Sequence, residues 1–343
     1  MTHAQHAPQH GDAPDGHGHD GHTPDGHGHD GHTPDGHGHD GHGHGHDGHG
    51  HGNQGHAPHG RDGHGHDHGH ARQDLEGQAE ILDLDAEVLA EHIADITTWL
   101  PLTEPPRHIV DLGCGTGAGT FALLDRFPDA HVTAVDSSAG HLQRLREKAC
   151  ARGVEDRVRT VQADLDEAEW PDLGAPDLVW ASASMHHMAD PDQALRTVRE
   201  LLAPGGLFAV VELAGFPRFL PEGAPEGRPG LEERCHTASE SYHAEHVPHR
   251  GADWGPKLTA AGFTLDGDRV IDVNIEGARS EAVGAYALGS LQRLRGSIAE
   301  VLPPEDLAAL DRLLDTGGPE SILRREDLAV RTERTVWAAR RKN

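Results

Sequence analysis

Lysine is almost missing from this chain: three of its 29 basic residues are Lys, and 57 acids leave a formal charge of −28 over 343 residues. No cluster of Lys and Arg interrupts that acidity, so the counterion-releasing contacts that hold nucleic acid have no footprint, and a nucleic-acid partner is not expected. Cysteine is scarce as well. Cys114, Cys150 and Cys235 share no CxxC spacing and lie far apart. That excludes a disulfide framework and a cysteine-based zinc site, and it leads to the expectation of a reducing cytoplasm. Nowhere do about 18 apolar residues run together, and no apolar stretch follows a basic start at the N-terminus; neither a membrane span nor export is expected.

What is present is unevenly placed. Residues 1–70 hold 22 of the 32 histidines, ten Asp and one Arg, and their only apolar residues are Met and Ala. The decapeptide TPDGHGHDGH fills 23–32 and again 33–42. Such a segment has nothing to bury and is expected to be a disordered tail. Neutral imidazoles bind Ni2+, Cu2+ and Zn2+, and an HGH unit lets two of them reach one ion. His27, His29, His37, His39, His42, His44 and His46 are therefore candidate metal ligands. The competing reading is a repeat-expanded, solvated tail whose metal binding is incidental. With −9 on the tail, residues 71–343 keep −19 together with the Leu, Val and Ile that a core requires, enough for one domain with insertions.

In that body, Ile81, Leu82, Leu84, Val88, Leu89, Ile93 and Ile96 recur at helical spacing. Order is expected from about Leu75, with Asp85 as an N-cap and Pro101 closing the helix. The stretch HIVDLGCGTGAGT (108–120) reads as a buried strand, a glycine turn and a helix. HVTAVDSS (131–138), VRTVQADL (158–165), PDLVWASAS (176–184) and GGLFAVVEL (205–213) are short β-rich or apolar runs separated by helix-like segments. Strands alternating with helices predict an α/β fold with a mostly parallel sheet covered on both faces. Residues 215–255 are rich in Pro and Gly, carry His236, His243, His246 and His249, and read as an insertion. The 243, 246, 249 spacing would place three imidazoles on one side of a helix, able to serve a metal or an acceptor, but Pro248 argues against a regular helix there. A sixth strand is read after LTAAGF, then helices over about 280–298 and 304–315 and an alternating last strand over 328–341.

The sharpest local signal is DLGCGTG, residues 111–117, whose glycines permit a tight turn and close approach of backbone to a ligand at a helix N-terminus. Gly113, Gly115 and Ala118 also satisfy the relaxed dinucleotide pattern, which makes a nicotinamide-dependent oxidoreductase one alternative. Asp111, two positions before the first glycine, would repel a pyrophosphate and welcome an ammonium group. A cationic, amine-bearing cofactor is favoured.

Joined to AVDSS, QADL, the MHHMADPDQAL segment after the fourth strand and LLAPGG before the fifth, this turn resembles that of the class I S-adenosylmethionine-dependent methyltransferases, over roughly residues 75–343. The resemblance implies a Rossmann-like fold with a seven-stranded, mostly parallel sheet and an antiparallel last strand, S-adenosylmethionine as cofactor and a small-molecule acceptor. It also implies site residues. Asp111 and the backbone of Gly113, Gly115 and Gly117 would surround the methionine portion; Asp136, with Ser137 beside it, would accept the ribose hydroxyls; Asp164 would take a bond from the adenine amino group, with Leu165 at the ring edge; and Ala181 would line the cofactor where the fourth strand ends. Methyl transfer from a sulfonium needs chiefly positioning, and a base only when the acceptor is protonated. His186, His187 and Glu212 are the leading candidates for that role, with Tyr242 and the insertion histidines behind them; the His pair has a purely structural reading too. Residues 215–255 and 279–326 are expected to cap the acceptor. A metal-handling protein on a methyltransferase-like scaffold is the second alternative.

Overall fold

The structure is a computed structural model that describes residues 67–277 and 280–342, with side chains from residue 77 onward except those of 241 and 242. The candidate metal ligands between His27 and His46, and the side chain of Tyr242, lie outside the described residues.

Five parallel strands, β1 (His108–Leu112), β2 (His131–Asp136), β3 (Val158–Gln162), β4 (Leu178–Ser182) and β5 (Leu207–Leu213), form the first part of one sheet. Their near-continuous apolar character follows from burial on both faces. Along β4, Leu178 and Trp180 enter one hydrophobic cluster while Val179 and Ala181 enter the other, and β5 alternates in the same way from Leu207 to Val211. Helices α2 (Ala90–Trp99), α3 (Ala118–Arg126) and α4 (Ala139–Ala151) fill the first face, and α5 (Pro191–Leu201) and α7 (Trp254–Ala260) the second. Local chemistry starts three of these helices, Asp253 capping α7 by accepting from the Gly255 N–H at 3.0 Å. Ser138 accepts from the His141 N–H at 3.3 Å to cap α4, and Asp190 accepts from the Gln193 N–H at 2.9 Å, with Pro191 in the first turn of α5.

Two long strands, β6 (Phe263–Glu276) and β7 (Ala329–Arg341), complete the order β3-β2-β1-β4-β5-β7-β6, with β7 antiparallel to both of its neighbours. The predicted α/β fold, with a mostly parallel seven-stranded sheet and an antiparallel last strand, is the observed one. Strand order reverses between β1 and β4, which opens a crevice at their carboxyl ends. The distal ends of β6 and β7 run beyond β5 and enter a third hydrophobic cluster through Ile275 and Val330. α6 (Leu231–His246), α8 (Glu281–Ile298) and α9 (Pro304–Leu314) build that cluster, and Ile81, Leu84 and Val88 of α1 (Asp67–Val88) pack on it. Among the described residues, no helix is long and apolar enough to cross a membrane.

Three local expectations are corrected. Helix α1 starts at Asp67, ahead of Leu75, and Asp85 lies inside it rather than at an N-cap. Its carboxylate is taken by tertiary partners instead, and α2 begins after Leu89 without a side-chain cap. Residues 231–246 form a regular helix within the supposed insertion, because Pro248 lies beyond its end and terminates it instead of interrupting it. His243 and His246 ride on that helix and His249 does not.

Candidate active site

The turn after β1 has its shape because two of its glycines cannot be replaced. Gly113 has φ +65°, and a Cβ there would lie 2.4 Å from the Ser184 Cβ in the loop after β4; Gly117 has φ +100°, and its Cβ would meet the Phe121 ring at 2.7 Å. Backbone from β1 and β4 thus meets at the sheet's switch point. Around it opens a cavity of about 440 Å³, walled by the glycine turn, the ends of β2 and β4, and Gln78, Leu82 and Asp85 of α1. Ala183, a non-glycine residue at φ +51°, sits on its wall just past β4. A left-handed alanine of this kind is unfavourable and is retained where surrounding structure dictates it.

Five acids line the cavity: Asp85, which is paired with Arg334, and Asp111, Asp136, Asp164 and Asp166. Asp111 is 2% exposed and accepts a 2.6 Å bond from the Thr120 hydroxyl. Burial pushes its pKa up to about 7; Thr120 opposes that and the Asp136 charge adds to it. Burial acts in the same sense on Asp136, but bonds from His141 (3.3 Å), the Ser138 N–H (2.8 Å) and the Gly115 N–H (2.8 Å) outweigh it and hold that carboxyl below its usual range. Asp136 therefore also ties the glycine turn to the end of β2. Asp164 is exposed at the rim, accepting from the Asp166 N–H at 3.0 Å, and Ser137 and Leu165 also line the cavity. Gly117 and Ala181 are not part of the wall. Gly117 serves the packing of α3, and Ala181 is fully buried below Ser182, Ala183 and Ser184, which do reach the cavity.

The adjacent histidines divide. His186 Nδ1 lies 2.5 Å from Glu212 Oε2, and both side chains are about 2% exposed or less, away from the cavity wall. The other Glu212 oxygen accepts from the backbone N–H groups of Met185 (2.8 Å) and His186 (3.3 Å), so this carboxylate fastens the turn after β4. His187 does reach the cavity, its ring 4.2 Å from that of His186. Although His187 is exposed on one side, desolvation of the rest of its ring, the neighbouring His186 and the Arg250 charge bring its pKa down to about 4, with Glu212 opposing. Of the insertion histidines, His236 and His243 flank Phe216, and Arg250 lies over the same ring. Among the described residues, no group of three or more His, Cys, Asp or Glu could hold a metal.

Several wall residues escaped sequence reasoning. Trp180, 1% exposed, has an indole N–H without a partner at the cavity beside Gly119 and Asp111. Arg334 on β7 donates from Nη2 to both Asp85 oxygens at 2.9 Å, and Tyr286 of α8 donates to the same carboxylate at 2.6 Å. Arg334 and Asp85 are 249 residues apart in sequence, and no local pattern announces such a pair.

The methyltransferase domain family matches residues 110–208, from β1 into β5. Malonyl-[acyl-carrier protein] O-methyltransferase of Halorhodospira halophila (strain DSM 244 / SL1) is 30% identical over 250 residues, spanning 70% of this chain and 77% of that protein. The chain belongs to the class I S-adenosylmethionine-dependent methyltransferases. Trans-aconitate 2-methyltransferase of Acidovorax sp. (strain JS42) is 41% identical over 105 residues, which cover 31% of this chain and only 38% of that relative. Among solved structures, Haemonchus contortus phosphoethanolamine N-methyltransferase 2 in complex with S-adenosyl-L-methionine aligns with a TM-score of 0.43 at 16% identity, over 74% of this chain and 53% of that one.

The wall fits the family's cofactor. A side chain on Gly113 would close the approach of backbone at the turn, the buried Asp111 carboxyl suits an ammonium group, and Asp136 keeps acceptor capacity for paired hydroxyls beyond its backbone bonds.

Proposed function

We propose that this chain transfers a methyl group from S-adenosylmethionine to a small acceptor. The observation that carries this reading is a buried acid, Asp111, beside a glycine turn whose neighbouring carboxylates make the wall acidic: a cationic ligand is welcomed and a pyrophosphate is not. Asp111 and the Gly113 and Gly115 backbone would hold the methionine portion, Asp136 the ribose, and Asp164 and Leu165 the adenine. When bound, S-adenosylmethionine supplies an already activated methyl carbon, so the chain's own work is to orient the acceptor and exclude water. His186 and Glu212 act as positioning residues that fasten the turn bearing His187. The relatives' names, trans-aconitate and malonyl-acyl carrier protein, support a small acidic acceptor. The elements within 215–255 and 279–326 would enclose it.

Asp111 makes the reading testable. Its carboxyl is half-protonated near pH 7 in the ligand-free fold, and an ammonium favours the ionised form. Affinity for S-adenosylmethionine is therefore expected to fall by up to about tenfold per pH unit as pH drops below about 7. The analogue 5′-methylthioadenosine, which lacks the amino-acid portion, should show no such slope. Calorimetry over this range decides it: equal slopes would remove Asp111 from the ammonium site, and tighter binding of a dinucleotide would overturn the methyl-transfer reading.

The tail is a separate matter. We assign metal binding to residues 1–70 on the density of their histidines and on the lack of a metal-holding group among the described residues. Removing 1–66, which spares α1, should abolish most tight Ni2+ or Zn2+ binding and leave S-adenosylhomocysteine production per molecule unchanged. Metal binding by the full chain should fade below about pH 6.5, where imidazole becomes protonated. Unchanged metal stoichiometry after truncation would refute the assignment.

A further inference from the structure

Two guanidinium groups, Arg334 on the cavity wall and Arg250 on the segment beside the end of β5, hold buried donors with nothing to donate to. Arg334 is 5% exposed and lines the cavity; Asp85 takes its Nη2, but its Nε is buried without a partner. Arg250 lies with its guanidinium 3.6 Å from the centroid of the Phe216 ring, and its Nε and Nη1 are likewise buried and unpartnered. A buried N–H without an acceptor is unfavourable by a large part of a hydrogen bond, and native folds rarely keep one without a reason. Here three such groups occur on two cations. Burial lowers the Arg250 pKa to about 10, with Glu212 opposing and Arg293 adding to the effect, the behaviour of a cation short of its anion. Glu212 cannot relieve it by contact, being engaged by His186 and the Met185 N–H.

These groups share one neighbourhood: the N–H of Gly251, next to Arg250, donates to the Leu213 carbonyl at 3.2 Å, and Leu213 is the register partner of Arg334 where β5 pairs with β7. Glu212 acts electrostatically on both Arg250 and Arg334, and Arg250 and Arg293 both act on His187, which is on the cavity wall. The site is thus polarised: acids gather at the glycine turn, and cations gather where β7, the turn after β4 and the 215–255 segment meet. We infer that the acceptor is a carboxylate, held by Arg250 and Arg334, and that the product is its methyl ester; this rests on the methyl-transfer reading above. In that reaction a carboxylate oxygen forms the new O–C bond with its lone pair as the C–S bond breaks and its electron pair stays on sulfur. The carboxylate's negative charge and the sulfonium's positive charge are both lost, and no proton moves. Charge cancellation of this kind is favoured in a water-poor cavity. It also needs no base, in keeping with His187, whose imidazole at about 4 is a weak proton acceptor at neutral pH. An ammonium or alcohol acceptor would require one.

The experiment uses the full chain. Saturated with S-adenosylhomocysteine, it is titrated by calorimetry with malonate, succinate and trans-aconitate and with their uncharged amides; methyl-labelled S-adenosylmethionine is then supplied with each, and label released as methanol by mild alkali is counted. Carboxylates should bind, amides should not, and the label should be alkali-labile. Arg250→Gln should raise the KM for the carboxylate by about tenfold or more while S-adenosylhomocysteine affinity stays unchanged, and Arg250→Lys, which keeps the charge but not the planar fork, should fall between. The inference is overturned if S-adenosylhomocysteine binds but no carboxylate does, if the label enters an alkali-stable product, or if Arg250→Gln leaves KM unaltered. Failure of S-adenosylhomocysteine itself to bind would bring down the methyl-transfer reading, and this inference with it.

Discussion

Asp136→Ala is expected to weaken S-adenosylmethionine binding by about 1.5–3 kcal/mol, roughly a tenfold to hundredfold loss, because two ribose hydroxyls lose a charged acceptor. The same substitution should also lower stability, since the Gly115 and Ser138 N–H groups, each bonded to this carboxylate at 2.8 Å, lose their acceptor. Asp136→Asn separates the two effects. Its one remaining carbonyl oxygen can serve the glycine turn, so stability should recover in part while the charge-assisted contribution to affinity stays lost. Calorimetry with S-adenosylmethionine and urea denaturation of the three proteins give both quantities. If Asp136→Ala binds as tightly as the parent, the ribose is anchored elsewhere.

Glu212→Ala should have the larger effect on the fold. Its carboxylate, 2% exposed, receives His186 Nδ1 and two backbone N–H groups, all in the turn after β4. Removing the acceptor from a buried hydrogen bond destabilises by about 1–3 kcal/mol for each donor left unsatisfied, and Glu212→Ala leaves three donors behind. Cofactor affinity should fall with it, as Ser184, His187 and Met188 of that turn line the cavity. Glu212→Gln, which keeps the shape and one acceptor oxygen, should destabilise less. Equal denaturation midpoints for Glu212→Ala and the parent would show that the pair contributes nothing to holding the turn. A Glu212→Ala protein that stays stable and binds cofactor, yet loses turnover, would instead make Glu212 a participant in the chemistry.

Sequence legibility followed the range of the interactions involved. β1 to β5 were readable because burial on both faces leaves short apolar runs, and the helices between them carry their own starts, such as Ser138 and Asp190. The glycine turn was readable because left-handed backbone at Gly113, Gly115 and Gly117 restricts residue type locally. Asp85 shows the converse: an acid amid helical periodicity resembles an N-cap, yet Arg334, 249 residues away, claims it. Pro248 likewise looked like an obstacle to a helix, and only the position of α6 shows it standing just past the end.

Legible in the amino-acid order are the succession of strands and helices, the glycine turn after β1, the acids at 111, 136 and 164, and a histidine-laden segment whose only apolar residues are Met and Ala. Each of these depends on a residue's own conformational limits or on neighbours a few positions away. Tertiary structure alone decided that His187 faces the cavity while His186 turns inward to Glu212, since adjacent residues in a tight turn point in different directions. It alone brought Arg334 to the cavity wall and Arg250 into the neighbourhood of His187, because those positions come from the packing of distant segments, which no spacing in the sequence records.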